Sequence, residues 1–333
     1  MKRSVKMECT LLTKEEVCQN QLQIFKKYGT NAAVTDFSLL LGIEVSSDHT
    51  SDSLYYRDKD FNDTRAADYW TKTKEKDKVT VISSYSFGYN SPKNINKLYI
   101  GIRPVLKYSD IKSEIDNAEI SEKKVLEVEY GEYPQTICED KTNFEIEKMY
   151  KEGKIIKTGK KYTINTNESK TFSPQELDEY SYNNKKYIRF IANRDLVRTK
   201  LSNKKYIEYK KPYWIKVEPV IWMIDEEKNL AVSKKLLFTG IPFDKDYNGK
   251  FEETIIYNYL NNFFIKEIIF KKKKKEKTKI DTIEEEIENM TLEELQELRF
   301  IIEKQIKKEV KIKRKGGIIW DNLQNKKWLE EIK

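Results

Sequence analysis

Few of the residues that build enzyme and metal sites occur in this chain. Its 333 residues include one histidine, His49. The cysteines number three: Cys9, Cys18 and Cys138. Their odd number and their spacing match no zinc-ligand pattern, and free thiols suit a reducing compartment. A hydrolytic triad of Asp48, His49 and Ser51 is disfavoured, because triad members usually converge from distant loops. We find no catalytic motif and expect neither a metal nor a cofactor.

Long hydrophobic runs are also missing. No stretch approaches the roughly 20 apolar residues of a membrane span, and the N-terminal region has no uninterrupted apolar run typical of a secretory signal. We therefore expect a cytoplasmic protein with no membrane partner.

Charge of one sign is only mildly in excess. The net charge is +8, from 63 Lys and Arg against 55 Asp and Glu. Residues 271–333 contain 18 basic and 14 acidic residues, so 18 − 14 = +4, and the first 270 residues carry the other +4. Neither part is the strongly basic block of a dedicated nucleic-acid binder, so a nucleic-acid partner is not expected. The lysine run 271–275 is interpreted as a solvated linker.

What the chain does contain is an alternation of strand and helix patterns. An aromatic content of 12% argues for a folded core, and together the patterns predict an α+β domain. Turns are predicted over 131–136 and 225–229, and a strand break at Glu218-Pro219. Strands are predicted over residues 79–82, 98–106, 125–130, 187–191, 213–217, 220–224 and 230–237. Helices are predicted over residues 13–27, 31–42, 144–152 and 251–269. The first begins with a capping box, Thr13 with Glu16 three residues on.

Four segments follow from these patterns. They are an N-terminal helical segment (1–29), the α+β domain (30–270), a charged linker (271–290) and a helical C-terminal appendage (291–333). The apolar stripe over 291–312 is either a seam that forms a homo-oligomer or a face that packs on its own chain.

Residues 66–106 are the most informative stretch for function. An aromatic pair, Tyr69-Trp70, opens it, and a Gly101-x-Arg103-Pro104 element closes it. The residues between are rich in Tyr, Ser, Gly and Asn, the composition of adaptable binding loops. Trp214 and Trp222 are expected in the core, and Arg103 is expected to bind a buried carboxylate. The candidate ligand-binding residues are Tyr55, Tyr56, Arg57, Trp70, Tyr85, Phe87, Tyr89 and Asn90.

Several motifs carry a resemblance to a known group. They occur in order at residues 27–37, 69–72, 103–104, 126–135 and 213–222. As an ordered set they resemble a group of gut-bacterial (Firmicutes) proteins of unknown function, over roughly residues 11–270. That group is similar to domains with a C-type-lectin-like fold, which formylglycine-generating enzymes share, and to the variable proteins of diversity-generating retroelements.

The resemblance implies that residues 70–100 hold a variable ligand surface. In such domains the Gly-x-Arg-Pro element usually comes last, whereas here it precedes the 126–135 and 213–222 motifs, an order that circular permutation would produce. The formylglycine enzymes depend on cysteine chemistry, and residues 150–270 contain no cysteine. That activity is therefore not carried over.

Together these observations predict a non-enzymatic protein that recognises an unknown protein or small-molecule ligand. Two alternatives stay open. One is an enzyme of unrecognised type, and the other is a structural or assembly protein of a prophage-like element that associates through its terminal helices.

Overall fold

The fold is known from a computed structural model that divides the chain into two compact units, Met1–Phe270 and Lys271–Lys333. The division falls where the lysine run begins. Most of the second unit, including most of the predicted helix over 291–312, lies outside the described residues. The residues that the structure describes are 7–19, 21–28, 30–45, 65–83, 90–115, 118–120, 126–165, 171–193, 196–268, 291 and 299–300.

The first unit is mixed α+β and mostly antiparallel sheet. Its described strands are β1 Cys9–Thr10, β2 Ala33–Val34, β3 Tyr69–Glu75, β4 Lys78–Ile82, β5 Asn90–Lys93, β6 Val105–Lys107, β7 Ala118–Ile120, β8 Leu126–Ile137, β9 Ile156–Asn165, β10 Pro174–Tyr182, β11 Lys185–Ile191, β12 Leu196–Lys200, β13 Tyr206–Ile207, β14 Pro212–Asp225, β15 Leu230–Ser233 and β16 Lys235–Leu236.

The helices of this unit are short. They are α1 Lys14–Cys18, α2 Gln23–Tyr28, α3 Asp36–Leu41, α4 Tyr108–Ile111, α5 Asp140–Lys151, α6 Ile255–Tyr259 and α7 Ile265–Ile268. A π-helical segment, Leu260–Phe264, joins α6 to α7, and 3-10 turns occupy Lys112–Glu114 and Phe251–Glu253.

Nine of the described strands form the main sheet, in the order β1-β6-β15-β14-β11-β10-β9, with β8 paired to β14 and β7 paired to β8. Every pairing in it is antiparallel. Strand β14 is its axis. It pairs with β8 along its length, with β11 over its first half and with β15 over its second. Two small sheets, β3-β4-β5 and β12-β13, and a parallel pair, β2-β16, complete the unit.

Two predicted interruptions of strands are wrong. Residues 131–136, predicted as a turn, continue β8, and Glu218-Pro219, predicted as a break, lies inside β14. Register shifts in the β8–β14 ladder absorb both features. The Gln135 side chain donates hydrogen bonds to the carbonyl oxygens of Glu218 and Pro219 at 3.1 and 2.8 Å. A proline is tolerated in this ladder because it lies at such an irregularity.

Helix ends follow local capping chemistry. The predicted capping box at Thr13 and Glu16 is confirmed, but the helix predicted over 13–27 is divided into α1 and α2. Thr35 caps α3, and Gly42 ends it in the left-handed region. The predicted helix over 251–269 is instead a series of short segments that includes the π-helical turn.

Elsewhere the predictions differ from the structure in extent. The strand predicted over 98–106 is only β6, because the chain before it makes isolated bridges to other elements. Strands β9 and β10 were not predicted at all, since lysines and acids interrupt the apolar alternation that identifies a strand. The predicted turn between β14 and β15 is confirmed, with Asn229 in the left-handed region.

The main core is aromatic and lies against the sheet. Tyr133 is at its centre, and its ring contacts those of Phe37, Tyr162, Phe238 and Phe264 at centroid distances of 5.3–6.0 Å. A smaller core lies between α5 and the sheet. Its buried members are Cys138, Ile146, Tyr180, Tyr187 and Trp214.

Gly131 provides a test of the packing between β8 and α7. It has a φ of +69°, and a Cβ there would lie 2.6 Å from the carbonyl oxygen of Ile268. We expect Gly131→Ala to lower the free energy of unfolding by about 3 kcal/mol, because backbone strain adds to a clash with backbone atoms. Urea denaturation measures this loss.

Gly153→Ala is the matched control. Gly153 has nearly the same φ, +66°, but no atom among the described residues lies within 4 Å of the added Cβ. It should lose only about 1 kcal/mol, the conformational cost alone. Equal losses in the two variants would contradict the close approach of Gly131 to α7.

Candidate functional site

The small sheet β3-β4-β5 frames the predicted ligand surface. Tyr69 of β3 pairs with Ile82 of β4, and Ile82 pairs with Asn90 of β5. Residues 84–89 therefore connect two paired strands. A bridge between Val45 and Ala67 likewise joins the chain on either side of residues 46–64. Both segments are anchored at their ends by backbone pairing.

The anchor points of the two segments converge on Tyr69. Ala67 is two residues from Tyr69 in sequence, and Ile82 lies opposite it. With strands about 5 Å apart and about 3.3 Å per residue, Val45, Ala67, Ile82 and Asn90 all lie within roughly 15 Å of Tyr69.

Most of the predicted contact residues lie outside the described residues. These are Tyr55, Tyr56, Arg57, Tyr85, Phe87 and Tyr89, and the triad candidates Asp48 and His49 lie outside them as well. Asn90 is described as the first residue of β5.

Trp70, one of the candidate ligand-binding residues, lies in the core. Trp70 is 1% exposed, and its ring lies 5.4 Å from that of Phe243. The neighbouring polar residues suggested a surface, but Thr71 is itself buried and donates a hydrogen bond to the carbonyl oxygen of Thr80. The indole N–H of Trp70 has no hydrogen-bond partner in the described part of the chain. Trp70 is thus a core residue that retains one donor.

The Gly-x-Arg-Pro element ties the small sheet to the main sheet. Gly101 accepts a hydrogen bond from the Trp70 amide at 3.0 Å and donates to Asp68 at 2.8 Å. Its Cβ position would be 2.7 Å from side-chain atoms of both Ile43 and Leu236, so only glycine fits without displacing them. The element belongs to the interior of the fold.

Arg103 is buried, in keeping with a structural role, while the carboxylate expected as its partner stays a prediction. Its guanidinium donates to the carbonyl oxygens of Ser233 and Thr30 and to the Tyr69 hydroxyl, at 3.0–3.4 Å. It also lies over the rings of Phe25 and Tyr69, 5.2 and 5.3 Å from their centroids. Carbonyl dipoles and ring faces thus contribute to stabilising this buried cation.

Asp36 is a buried carboxylate with a full set of donors. Arg65 donates to its Oδ1 at 2.7 Å, and the amides of Ser202 and Ile137 donate at 2.8 and 3.1 Å. The Ser202 hydroxyl also donates to it. This residue therefore joins α3, β8 and the β12–β13 hairpin, a structural task that sequence reasoning did not identify.

Glu147 performs a similar task under α5. Arg189 binds it in a bidentate pair with both distances 2.9 Å, and the Trp214 indole donates to it at 3.0 Å. Burial raises the pKa of Glu147, but the hydrogen bonds from Arg189 and Trp214 outweigh burial and hold the pKa below its ordinary value. Trp214 and Trp222 are both buried, which confirms the prediction for them.

Glu267, on α7, is the most perturbed carboxyl of the described residues. Burial raises its pKa from 4.5 to about 7, although the Thr163 amide donates to Oε1 at 2.7 Å. Its other oxygen is buried and has no hydrogen-bond partner among the described residues. Burial also lowers the pKa of nearby Lys160, whose ammonium lies 4.9 Å from the centroid of the Tyr162 ring. Tyr162 donates to Glu179 at 2.7 Å.

A second group of exposed hydrophobic side chains lies on and beside the β12–β13 hairpin. We call this surface the hairpin face. Its members are Phe144, Ile191, Tyr206 and Tyr209, with Lys200, Lys204 and Lys210 beside them. The contact of Lys205 with Asp140 brings the β12–β13 hairpin next to the start of α5, and backbone hydrogen bonds between Ala192 and Lys210 and Lys211 bring it next to β11. The local sequence signal for this surface is the pair of tyrosines among six basic residues in 198–211, which the modest total charge does not show.

The cysteines and the possible metal ligands complete the survey of reactive groups among the described residues. All three cysteines are free, and burial raises the pKa values of the Cys9 and Cys138 thiols, the latter to about 12. Within the described ranges, no group of three or more Asp, Glu, His and Cys is placed to hold a metal ion. Nor does the described part of the chain include a helix that is both long and apolar enough to cross a membrane.

Comparisons with family models, with curated proteins and with solved structures give no match for this chain.

The raised pKa of the buried Glu267 carboxyl predicts that folding stability depends on pH near neutrality. Because the folded-state pKa of Glu267, about 7, is raised above the ordinary 4.5, the contribution of Glu267 to folding stability is fully present below pH 4.5 and is lost as the pH rises from 4.5 through 7. Glu267→Gln keeps the acceptor for Thr163 and removes this charge. Relative to the native chain, the variant should gain about 2 kcal/mol of unfolding free energy between pH 5 and pH 8.

Urea denaturation at the two pH values measures this gain. Glu227→Gln is the control, since Glu227 is exposed in the turn between β14 and β15 and its replacement should change stability equally at both. A Glu267→Gln variant whose stability runs parallel to that of the native chain from pH 5 to pH 8 would show that the carboxyl is not buried as described.

Proposed function

We propose that this protein is a non-enzymatic recognition protein that displays ligand-contacting segments on a C-type-lectin-like scaffold. The proposed contacts are those of residues 55–57 and 85–90, including Tyr55, Tyr56, Arg57, Tyr85, Phe87, Tyr89 and Asn90. Trp70 is not among them, since its whole side chain, the indole N–H included, is buried. The cytoplasm is the proposed compartment because the three cysteines are free thiols.

The observation that carries this proposal is the convergence of the anchor points on Tyr69. Two segments that are distant in sequence begin and end within roughly 15 Å of one residue. The frame between these segments is packed and hydrogen-bonded. Ile82 is buried, and the Tyr69 hydroxyl donates to the carbonyl oxygen of Thr30 at 2.7 Å. Contacts on segments that connect the elements of a packed frame are the usual arrangement of binding proteins.

The buried ionisable groups support binding over turnover. Asp36 and Glu147 are bound by donors from other elements, and these bonds hold the fold together. Glu267, whose pKa would suit a general base, lies in the interior, where α7 meets β9. Each of these groups has a structural assignment within the described residues, and none is presented at a surface.

A triple replacement, Tyr85→Ala with Phe87→Ala and Tyr89→Ala, tests the proposal. If these side chains contact a ligand and are not part of the core, the melting temperature should change by less than about 2 °C. Peptides selected from a random display library against the native protein should then lose at least about tenfold in affinity for the variant.

Two controls make this result interpretable. Val81→Ala removes part of a fully buried side chain of the same small sheet, and it should lower the melting temperature by about 4 °C or more. Lys228→Ala changes an exposed residue elsewhere and should leave peptide binding unchanged. A triple variant that melts as early as Val81→Ala, or that binds every selected peptide as tightly as the native chain, would overturn the proposed contacts.

The assembly alternative makes a separate prediction. If residues 271–333 form a homo-oligomeric seam, their deletion should reduce the mass measured by light scattering to that of a monomer. The recognition proposal expects the 1–270 chain to keep its selected peptides whatever the mass of the full chain. Loss of peptide binding on deletion would favour assembly through the terminal helices.

A further inference from the structure

We propose that the hairpin face is a second binding surface and that its ligand is single-stranded nucleic acid. Its residues are not those of the small sheet, and it does not depend on the function proposed above. The proposal begins with charge. Residues 198–211 contain six basic residues and one acid, Glu208, so 6 − 1 = +5 of the total +8 lies in this segment. The basic residues are Arg198, Lys200, Lys204, Lys205, Lys210 and Lys211.

The second observation is that aromatic rings stand among these charges. Tyr206 and Tyr209 are 43% and 53% exposed. The ammonium of Lys200 lies 5.6 Å from the Tyr206 ring centroid, and that of Lys210 lies 5.1 Å from the Tyr209 centroid. Aromatic platforms on which bases stack, beside cations that bind the phosphates, are the shared chemistry of proteins that bind single strands. Large exposed rings otherwise carry a cost in solubility.

The backbone of the hairpin is the third observation. Lys204 and Lys210 have φ values of +65° and +58°, a region that side chains other than glycine and asparagine rarely adopt. Hydrogen bonds hold these turns, from the Lys204 amide to Leu201 and from the Lys210 amide to Ala192, both at 2.8 Å. These turns hold Lys204 and Lys210 at fixed backbone positions on the exposed side of the hairpin.

The face is also preorganised. Ser202 anchors the hairpin to the buried Asp36, and the Tyr213 hydroxyl accepts a hydrogen bond from the Glu208 amide at 2.9 Å. A surface held in this way loses little conformational entropy when it binds.

Existing ion pairs do not block the surface. Lys205 contacts Asp140, and Lys211 lies 2.5 Å from Glu208. The carboxylates of both pairs are about 60% exposed. Exposed pairs of this kind contribute little stability, so phosphates can compete for their lysines.

The rings distinguish a single strand from other anions. Duplex DNA keeps its bases stacked on one another and would use only the lysines. An acidic peptide would likewise pair with the ammonium groups without a general need for two aromatic platforms. A single strand uses both features, and stacking is tolerant of base sequence because every base has a π-face.

Fluorescence anisotropy of the full chain with labelled oligothymidylate of about 20 nucleotides tests the proposal. Tyr206→Ala with Tyr209→Ala should weaken binding by at least about tenfold. Tyr206→Phe with Tyr209→Phe keeps both rings and should bind within about twofold of the native chain. This second pair also guards against misfolding, which circular dichroism would reveal in the alanine pair.

The lysines are tested by salt dependence. Lys200→Gln, Lys204→Gln and Lys210→Gln together should reduce the slope of log affinity against log salt by about 2, since each phosphate contact on a single strand contributes about 0.7. The matched control replaces three exposed lysines outside the hairpin face, Lys78, Lys228 and Lys245, with Gln. It should leave the slope nearly unchanged.

Several results would overturn the proposal. They are no binding by the native chain at about 50 mM salt, equal binding by the native chain and the alanine pair, or equal loss of affinity in the two lysine triples. Parallel titrations with poly-glutamate, duplex DNA and vesicles containing phosphatidylserine decide the ligand class. If any of these binds as tightly as oligothymidylate and shows the same dependence on the two rings, the assignment to single strands is wrong.

Discussion

The burial of Arg103 is the constraint on which the arrangement of the first unit depends. A guanidinium in the interior must keep its donors satisfied, and here carbonyl oxygens from two distant segments and the Tyr69 hydroxyl receive them. Those partners place the chain after α2, the end of β15 and the first residue of β3 around one side chain. Gly101 completes the junction, since side chains from two other elements occupy the space that a Cβ would need. The small sheet, and with it the anchor points of both proposed contact segments, takes its position from this element.

The second organising feature is the pair of long strands β8 and β14. Their ladder includes two irregularities, and both serve packing: Gly131 lets α7 approach β8, and the Gln135 side chain satisfies carbonyl oxygens next to Pro219. The close approach of α7 has an electrostatic consequence. It buries Glu267 beside β9, where loss of solvent raises the pKa of the carboxyl to about 7. Packing that favours the neutral form of the Glu267 carboxyl therefore makes the stability of the fold sensitive to pH near neutrality.

Polar groups are distributed in two distinct ways. Inside, Asp36, Glu147 and Arg103 are held by donors or acceptors from several elements, so each of them links parts of the chain that are far apart in sequence. Outside, the hairpin face exposes tyrosines and lysines on a hairpin that Ser202 ties to the buried Asp36. The interior network thus determines the position of the surface. The modest net charge of the whole chain does not reveal this surface. Most of the positive excess falls within fourteen residues, 198–211.

Sequence alone determined the features that depend on neighbouring residues: the capping box of α1, the turn at Asn229, strand β4, helix α5 and the burial of Trp214 and Trp222. Caps and turns need only a few adjacent side chains, and apolar strands show their pattern locally. The tertiary structure decided the rest. Trp70 is buried because Phe243 and the partner strand cover it, although its sequence neighbours are polar. Residues 131–136 and 218–219 remain in strands because they pair with each other across the β8–β14 ladder, and the Gln135 side chain donates to the carbonyl oxygens of Glu218 and Pro219. Such outcomes depend on groups that are brought together only by folding, and no pattern along one segment records them.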